Sequence, residues 1–131
     1  LEGAEKALAE VGKDFRYYDG SYNEEQAKEL FSSIKKDYPA GCGIISLNNT
    51  MVTGLIHAIY EELDEVEMLK YPIASYGEIV FQSIFSTNIP IHIRQRPYEI
   101  GREVAKLLEK RITGESSVPQ TYEIKNSLER K

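Results

Sequence analysis

The chain has 131 residues, 41% hydrophobic and 28% charged, which suits one folded domain and excludes a disordered chain. Its net charge of −5 and its scattered Lys and Arg residues exclude the basic patch that holds a phosphate backbone. We therefore expect that this chain does not hold DNA by itself.

The cysteine content and the first residues bear on location. Cys42 is the one cysteine, so an internal disulfide is excluded, and its apolar neighbours favour a buried, inert thiol. No basic-then-apolar signal peptide opens the chain, and no apolar stretch approaches the roughly 20 residues of a membrane span. We expect a cytoplasmic protein without membrane contact. The start at Leu1, without Met, favours a piece of a longer protein.

The first third of the chain predicts helix, strand and helix. Apolar residues at helical spacing over Ala4–Val11 predict a first helix. The aromatic run Phe15–Tyr18 predicts a strand. Asn23 is the expected N-cap of a second helix, which Pro39 and the residues after it end. The predicted buried stripe of this helix is Ala27, Leu30, Phe31, Ile34 and Tyr38.

The rest of the chain predicts further strands that alternate with helices. Gly43–Leu47 is an apolar strand of the kind buried on both faces, and Asn49 is the expected N-cap of the third helix. Pro97 opens the fourth helix, which continues to Ile112. The other predicted strands are Pro72–Tyr76, Ile89–Gln95 and Thr121–Asn126, and Gly77–Asn88 is predicted to be a loop or a short turn of helix. Strands alternating with helices indicate an α/β fold with a mainly parallel sheet and helices on both faces.

Three polar turns are candidates for ligand binding, because ligands of open α/β sheets bind beyond the carboxyl ends of the strands. They are 19–22, 48–50 and 75–78. Their amides, carboxylates and aromatic rings suit a polyol. The alternative interpretation leaves Asn49 as a helix cap alone, Asp19 and Gly20 as a turn, and Tyr76 as a packed aromatic residue.

The sequence lacks the patterns of an enzyme. His57 is predicted within a helix and His92 within a strand, and neither has a partner at metal-ligand spacing. There is no phosphate-binding glycine loop and no Gly-x-Ser-x-Gly turn. We expect no catalytic residue, no metal and no cofactor. Acidic residues crowd 61–67 and are predicted to form a solvated helix end, although acids there oppose the helix dipole.

Three segments of the chain form an ordered set of motifs: 43–54, Gln95–Gly101 and Leu128–Arg130. Together they resemble the LacI/GalR family of bacterial transcription regulators. The run 43–54 is similar to the family's apolar strand, Asn-Asp turn and helix. Gln95–Gly101 resembles its Gln-Pro-x-x-x-Gly stretch, which opens the last long helix. Leu128–Arg130 is similar to its closing Leu-x-x-Arg strand. Order and spacing agree from Gly3 to Arg130.

The resemblance implies that residues 1–131 are the C-terminal part of an effector-binding domain with the periplasmic-binding-protein-like type I fold. The DNA-binding domain and most of the N-terminal lobe then lie outside this chain. It implies binding of a sugar or similar small molecule, allosteric control of DNA binding, and a homodimer or higher oligomer. The alternative is a periplasmic or extracellular sugar-binding receptor of the same fold. A small α/β enzyme is the third interpretation, disfavoured by the missing motifs.

The resemblance also assigns candidate site residues. Asn48 matches a ligand-contacting asparagine, and Tyr22 matches an aromatic position that often stacks on ligand. Asn49 stands where the family commonly has Asp, and Gly77 stands where an Asp usually follows the aromatic residue. The candidate ligand-binding residues are Tyr22, Asn48, Asn49, Tyr76 and Glu78. We expect Tyr22 and Asn48 to share one cleft, and the oligomer to form through Val52–Tyr60 or an exposed sheet edge.

Overall fold

A computed structural model describes residues 2–77, 91–115 and 118–130. The four predicted helices are present, together with one short helix that the sequence pattern did not predict. In chain order the elements are α1 (Glu2–Glu10), α2 (Glu24–Asp37), β1 (Ile44–Ser46), α3 (Asn49–Glu62), α4 (Glu65–Met68), β2 (Ile73–Tyr76), β3 (Ile91–Arg94), α5 (Pro97–Ile112) and β4 (Ser127–Arg130).

The described strands form one sheet in the order β1-β2-β3-β4. The β1–β2 and β2–β3 pairs are parallel, with Ile44 beside Ile73 and Ala74 beside Ile91. The last strand, β4, runs antiparallel to β3. The prediction of an α/β fold with a mainly parallel sheet is confirmed.

The hydrophobic core lies between α2, α3 and one face of the sheet. Its buried side chains are Ala27, Phe31, Ile34, Val52, Leu55, Ile56, Ala58, Ile59, Met68, Tyr71 and Ile73. The two helices approach closely at Gly54, where a Cβ atom would collide with the carbonyl oxygen of Glu24. The rings of Phe31 and Tyr71 meet edge to face, with centroids 5.3 Å apart.

The acidic run after Tyr60 has two structural roles. Glu61 and Glu62 pair with lysines of α2, at 3.3 Å from Lys28 and 2.7 Å from Lys35. Asp64 is the N-cap of α4, and its Oδ1 accepts hydrogen bonds from the backbone N–H groups of residues 66 and 67. The acids near the end of α3 therefore serve a neighbouring helix and the start of the next one, which offsets their unfavourable position on the α3 dipole.

The face of the sheet that points away from α3 carries apolar side chains. Strand register places Ile45, Tyr76 and Leu128 on this outer face, and all three are exposed in the described structure. The run Gly43–Leu47 was expected to be buried on both faces, but only Ser46 in it is buried. Neither α1 nor α5 contains a buried residue.

The predicted strand Phe15–Tyr18 is absent, and this prediction is wrong. A strand requires a hydrogen-bonded neighbour, and the described sheet contains no pairing with this segment. Its polar groups instead bind the end of α2. The Tyr18 hydroxyl donates to Asp37 Oδ2 at 2.6 Å, and Arg16 pairs with the same oxygen. The two donors hold the pKa of the Asp37 carboxyl below its usual value.

One strand and one helix cap also differ from prediction. The final strand is Ser127–Arg130 rather than Thr121–Asn126, because only the later segment pairs with β3. The N-cap of α3 is Asn48, and Asn49 is the first residue of that helix. Beyond Gly77, the predicted loop Gly77–Asn88 lies outside the described residues.

Part of the α3 surface that was expected to mediate self-association is buried within the chain. Val52, Leu55 and Ile59 are buried within the chain, because α3 packs against α2 on one side and against β1 and β2 on the other. This double packing explains why α3 is apolar over more than one face. The expectation of an interface along Val52–Tyr60 is therefore wrong for these side chains.

Candidate functional site

The loop before α2 presents an aromatic ring in a constrained backbone. Asp19 Oδ1 accepts a hydrogen bond from the Ser21 N–H at 2.9 Å, and Asn23 N–H donates to the Gly20 carbonyl at 2.9 Å. Between these bonds, Ser21 and Tyr22 have φ values of 47° and 55°. The Tyr22 side chain is 79% exposed. Left-handed backbone at two consecutive residues costs free energy, and such strain clusters at ligand-binding sites.

Asn48 begins α3 and retains polar groups that the fold does not use. Its Oδ1 accepts the N–H of Met51 at 2.9 Å, which is the bond of a helix N-cap. The Ser46 hydroxyl donates to the Asn48 carbonyl at 3.2 Å, so the turn is fixed from both sides. Within the described ranges the Asn48 amide nitrogen donates no hydrogen bond, which leaves two N–H donors for a ligand.

The end of β2 lies directly against the first residue of α3. Gly77 has a φ of 123°, and a Cβ atom there would collide with Asn49 Oδ1. The Gly77 N–H donates to the Ile93 carbonyl at 3.0 Å, which holds the segment beside β3. Asn49 is therefore the first residue of α3 and also contacts Gly77 through its side chain, although it is not the N-cap.

Tyr76 lies on the outer face of the sheet. It is 37% exposed, and its hydroxyl accepts a hydrogen bond from Asn126 Nδ2 at 3.1 Å. This bond joins the end of β2 to the segment before β4. Asn126 was not predicted as a site residue, and no local pattern marked it, since the two residues are 50 positions apart. Glu78, the fifth candidate, lies outside the described residues.

The three polar turns meet at the carboxyl edge of the parallel strands. Gly20 is buried against the side chain of Met51, which stands in the first turn of α3. This contact joins the Tyr22 loop to the start of α3, and the Asn49–Gly77 contact joins the end of β2 to the same place. Asn48, Asn49 and Gly77 thus lie at one edge, with the Tyr22 loop next to them. That Tyr22 and Asn48 share one ligand cleft stays a prediction.

A buried polar row crosses the sheet below this edge. Ser46, Ser75 and His92 occupy adjacent register positions on β1, β2 and β3, and each is no more than 4% exposed. Sequence reasoning did not join the three residues into a row, because only the pairing of β1, β2 and β3 brings them together from separate strands. Side chains sealed from solvent at this depth do not reach a substrate, so the row does not supply a nucleophile.

The described ranges give little support to a metal site or a reactive thiol. They contain no group of three His, Cys, Asp or Glu side chains that could hold a metal ion. Burial raises the pKa of the Cys42 thiol, which disfavours the reactive thiolate. None of the helices described has the length and apolar character to cross a membrane.

Comparison with known proteins gives a result at the level of structure. No protein-family model and no curated protein sequence matches the chain. Among solved structures, a periplasmic solute-binding protein of an ABC transporter from Actinobacillus succinogenes 130z with bound D-allose superposes with a TM-score of 0.81 at 22% identity. That match covers 96% of this chain and 45% of the solved one.

Two transcription regulators are also similar. A LacI family regulator from Arthrobacter sp. FB24 has a TM-score of 0.79 at 18% identity, covering 97% of this chain and 48% of its own. A complex of the regulator CelR with cellobiose has a TM-score of 0.77 at 18% identity, and the match covers 98% of this chain and 40% of the CelR chain. The chain spans less than half the length of each of these structures. It is therefore part of an α/β domain with the periplasmic-binding-protein-like type I fold.

Proposed function

We propose that this chain is the C-terminal, ligand-sensing part of the effector-binding domain of a LacI/GalR-like transcription regulator. The ligand is a sugar or a related small molecule. The observation that carries the proposal is the convergence of the Tyr22 loop, the Asn48–Asn49 turn and the end of β2 at the carboxyl edge of the sheet. The solved structures of similar fold include a periplasmic solute-binding protein with bound D-allose and a transcription regulator in complex with cellobiose.

The chemistry at this edge suits sugar hydroxyls. The Asn48 amide nitrogen has two N–H donors and no partner in the described ranges, and a sugar oxygen is a matching acceptor. Tyr22 offers an exposed ring to the C–H face of a sugar, and its constrained loop lowers the entropy lost on binding. Tyr76 and Asn49 border the same edge. Glu78 follows Gly77 in sequence and completes the proposed set of ligand residues.

In the proposed mechanism the chain acts by binding and not by catalysis. A ligand that contacts this edge and a second lobe favours the arrangement of lobes in which both contacts are made. The protein is proposed to be cytoplasmic and oligomeric, and to touch DNA only through a domain outside these 131 residues. The acidic charge of this chain agrees with that division of roles.

The test is isothermal titration of the natural, full-length protein with D-allose, cellobiose and D-glucose. Binding of at least one sugar is expected, and Tyr22→Ala is expected to weaken it roughly tenfold through lost stacking. Tyr98→Ala is the matched control, because Tyr98 is 81% exposed and lies on α5. Equal affinity losses in both variants, or no binding of any sugar, would contradict the proposed site.

A sugar-binding receptor is the second candidate, since solved receptors and regulators share this fold. The two candidates differ in the region that precedes this part in the natural protein. A regulator carries a DNA-binding domain there, and its affinity for DNA changes when sugar is added. A receptor carries a signal sequence or lipid anchor, and adding sugar changes no DNA affinity.

A further inference from the structure

Met51 contacts both halves of the proposed ligand edge. Its backbone N–H donates to Asn48 Oδ1 at 2.9 Å, which fixes its backbone to the turn that begins α3. Its side chain packs against the loop that carries Tyr22. A Cβ atom at Gly20 in that loop would lie 2.6 Å from Met51 Sδ and would collide with Cε. One residue therefore links the capped turn to the aromatic loop.

Close packing explains why residue 20 is glycine. Gly20 is buried, and it does not have the left-handed φ that favours glycine. A Cβ atom at this position would instead collide with Met51 and lie 3.2 Å from Leu30 Cδ1. Met51 is partly buried and also packs against the hydrophobic core. The contact therefore connects the loop to the packed interior of the chain.

The loop after Gly20 has a conformation that needs support from its surroundings. Ser21 and Tyr22 both have left-handed φ values, and such residues persist only where neighbouring contacts hold them. Two hydrogen bonds of 2.9 Å fix the shape of the loop, from the Ser21 N–H to Asp19 Oδ1 and from the Asn23 N–H to the Gly20 carbonyl. Both bonds lie between residues 19 and 23, so neither relates the loop to the start of α3. That relation comes from the methionine contact.

We infer that Met51 is a positioning residue that sets the Tyr22 ring at a fixed place relative to the Asn48 amide. The inference rests on the proposed sugar site and names a residue that acts through the two contact residues. A ring and an amide that are already in place spare the ligand the entropy cost of ordering the loop. Methionine suits this role, because its unbranched chain fills an irregular gap and its thioether has no hydrogen-bond donor to compete for sugar oxygens.

A compensating pair of substitutions tests the inference, with the natural, full-length protein titrated with D-allose, cellobiose and D-glucose. Gly20→Ala should weaken sugar binding roughly tenfold, because the added methyl group displaces the Met51 side chain or the loop. Met51→Ala should weaken it to a similar extent, because the loop loses its support. The double variant should bind at least about threefold more tightly than either single variant, since the methyl group at position 20 takes part of the space that the methionine leaves.

Matched controls separate a positioning role from a general loss of stability. Met68→Ala truncates the other methionine of the chain, which is buried in the core, so it should lower the unfolding temperature without changing sugar affinity. Gly3→Ala adds a methyl group where a Cβ atom meets nothing within 4 Å, so it should not weaken sugar binding. Met51 is only partly buried, and a methyl group at Gly20 meets the flexible end of its side chain. The test variants should therefore fold, which circular dichroism checks.

Hydrogen exchange without sugar distinguishes failure of this inference from failure of the proposed function. The Ser21 and Asn23 N–H groups make the two loop bonds, and both should exchange roughly tenfold faster in each single variant and more slowly again in the double variant. If the wild type binds sugar and the single variants bind it equally well, the inference is overturned and the proposed function stands. If the wild type binds no sugar, the proposed function is overturned, and exchange at these two amides decides the inference, which unchanged rates would refute. A double variant that recovers neither affinity nor slow exchange would also overturn it.

Discussion

Asn49 fills, with its side-chain oxygen, the space that a Cβ atom at Gly77 would need. The resemblance to the LacI/GalR family implies that Asp is common at both positions. The structure places the two positions in contact. Gly77 also has a φ of 123°, a backbone conformation that residues with a Cβ atom rarely adopt.

Replacing Gly77 by Ala should destabilise the fold by about 1–3 kcal/mol, from backbone strain and from the collision. In an Asn49→Ala background the same change should cost less, because the colliding oxygen is gone while the strained φ remains. Urea unfolding of the four proteins gives the coupling as a double-mutant cycle. A coupling of zero would disprove the steric relationship.

Asn48 is expected to have separable structural and binding roles. Asn48→Ala should cost about 1 kcal/mol of stability, since the cap to Met51 is lost. Asn48→Ser keeps a capping oxygen and should change stability by a few tenths of a kcal/mol at most, yet it removes the amide donors. Thermal unfolding measures the first effect and sugar titration the second. If the serine variant binds sugar like wild type, Asn48 is a cap alone.

Gly54→Ala should destabilise the protein although alanine is the better helix former. The intrinsic gain is about 1 kcal/mol, but the added methyl group meets the Glu24 carbonyl and the Ala27 side chain. Overpacking at a helix contact costs about 1–3 kcal/mol, so we expect a small net loss. Gly3→Ala in α1 is the matched control, because a Cβ atom there meets nothing within 4 Å and should stabilise or be neutral. Equal midpoints of urea unfolding for the two variants would contradict the close approach of α2 and α3.

The Tyr18–Asp37–Arg16 cluster should produce an acid-dependent contribution to stability. The Tyr18 hydroxyl and the Arg16 guanidinium lower the pKa of Asp37 in the folded state. A carboxyl with a lowered pKa stabilises the fold above its unfolded pKa of about 3.9, and this contribution is lost as pH falls through the folded value. Carboxyl NMR titration should therefore place the Asp37 midpoint below about 3.9. Tyr18→Phe should raise it, and an unchanged midpoint would refute the role of the hydroxyl.

The chain alone should not bind duplex DNA in a salt-sensitive manner. Its net charge is −5, and counterion release requires clustered basic residues. A mobility-shift experiment at low salt with micromolar protein checks this expectation. A shift that disappears as salt is added would show a DNA-binding surface on this chain.

Sequence patterns predicted the helices well, because their signals are local. Asn23 caps α2 as expected, and Pro97 opens α5. Strands were less predictable, since a strand forms only where a neighbour pairs with it. Phe15–Tyr18 has the composition of a strand, but its side chains bind Asp37 and its backbone joins no described sheet.

The candidate site was predictable in position and less so in detail. The parallel sheet led directly to the polar turns at its carboxyl edge. Tertiary contacts such as Gly20 with Met51, and Tyr76 with Asn126, join residues far apart in sequence and leave no local pattern. The N-cap of α3 shows the same limit. Asn49 was predicted and Asn48 is the cap, because the side chain of either asparagine satisfies the capping preference.

The location of the core has a consequence for tolerance to substitution. All the buried hydrophobic side chains described lie between Ala27 and Ile73, and α1 and α5 contribute none. Changes of side-chain volume should therefore cost this chain the most stability within that contiguous third of its length. Substitutions of exposed side chains in α1, in α5 and in the loop that carries Tyr22 should change the stability of this chain much less.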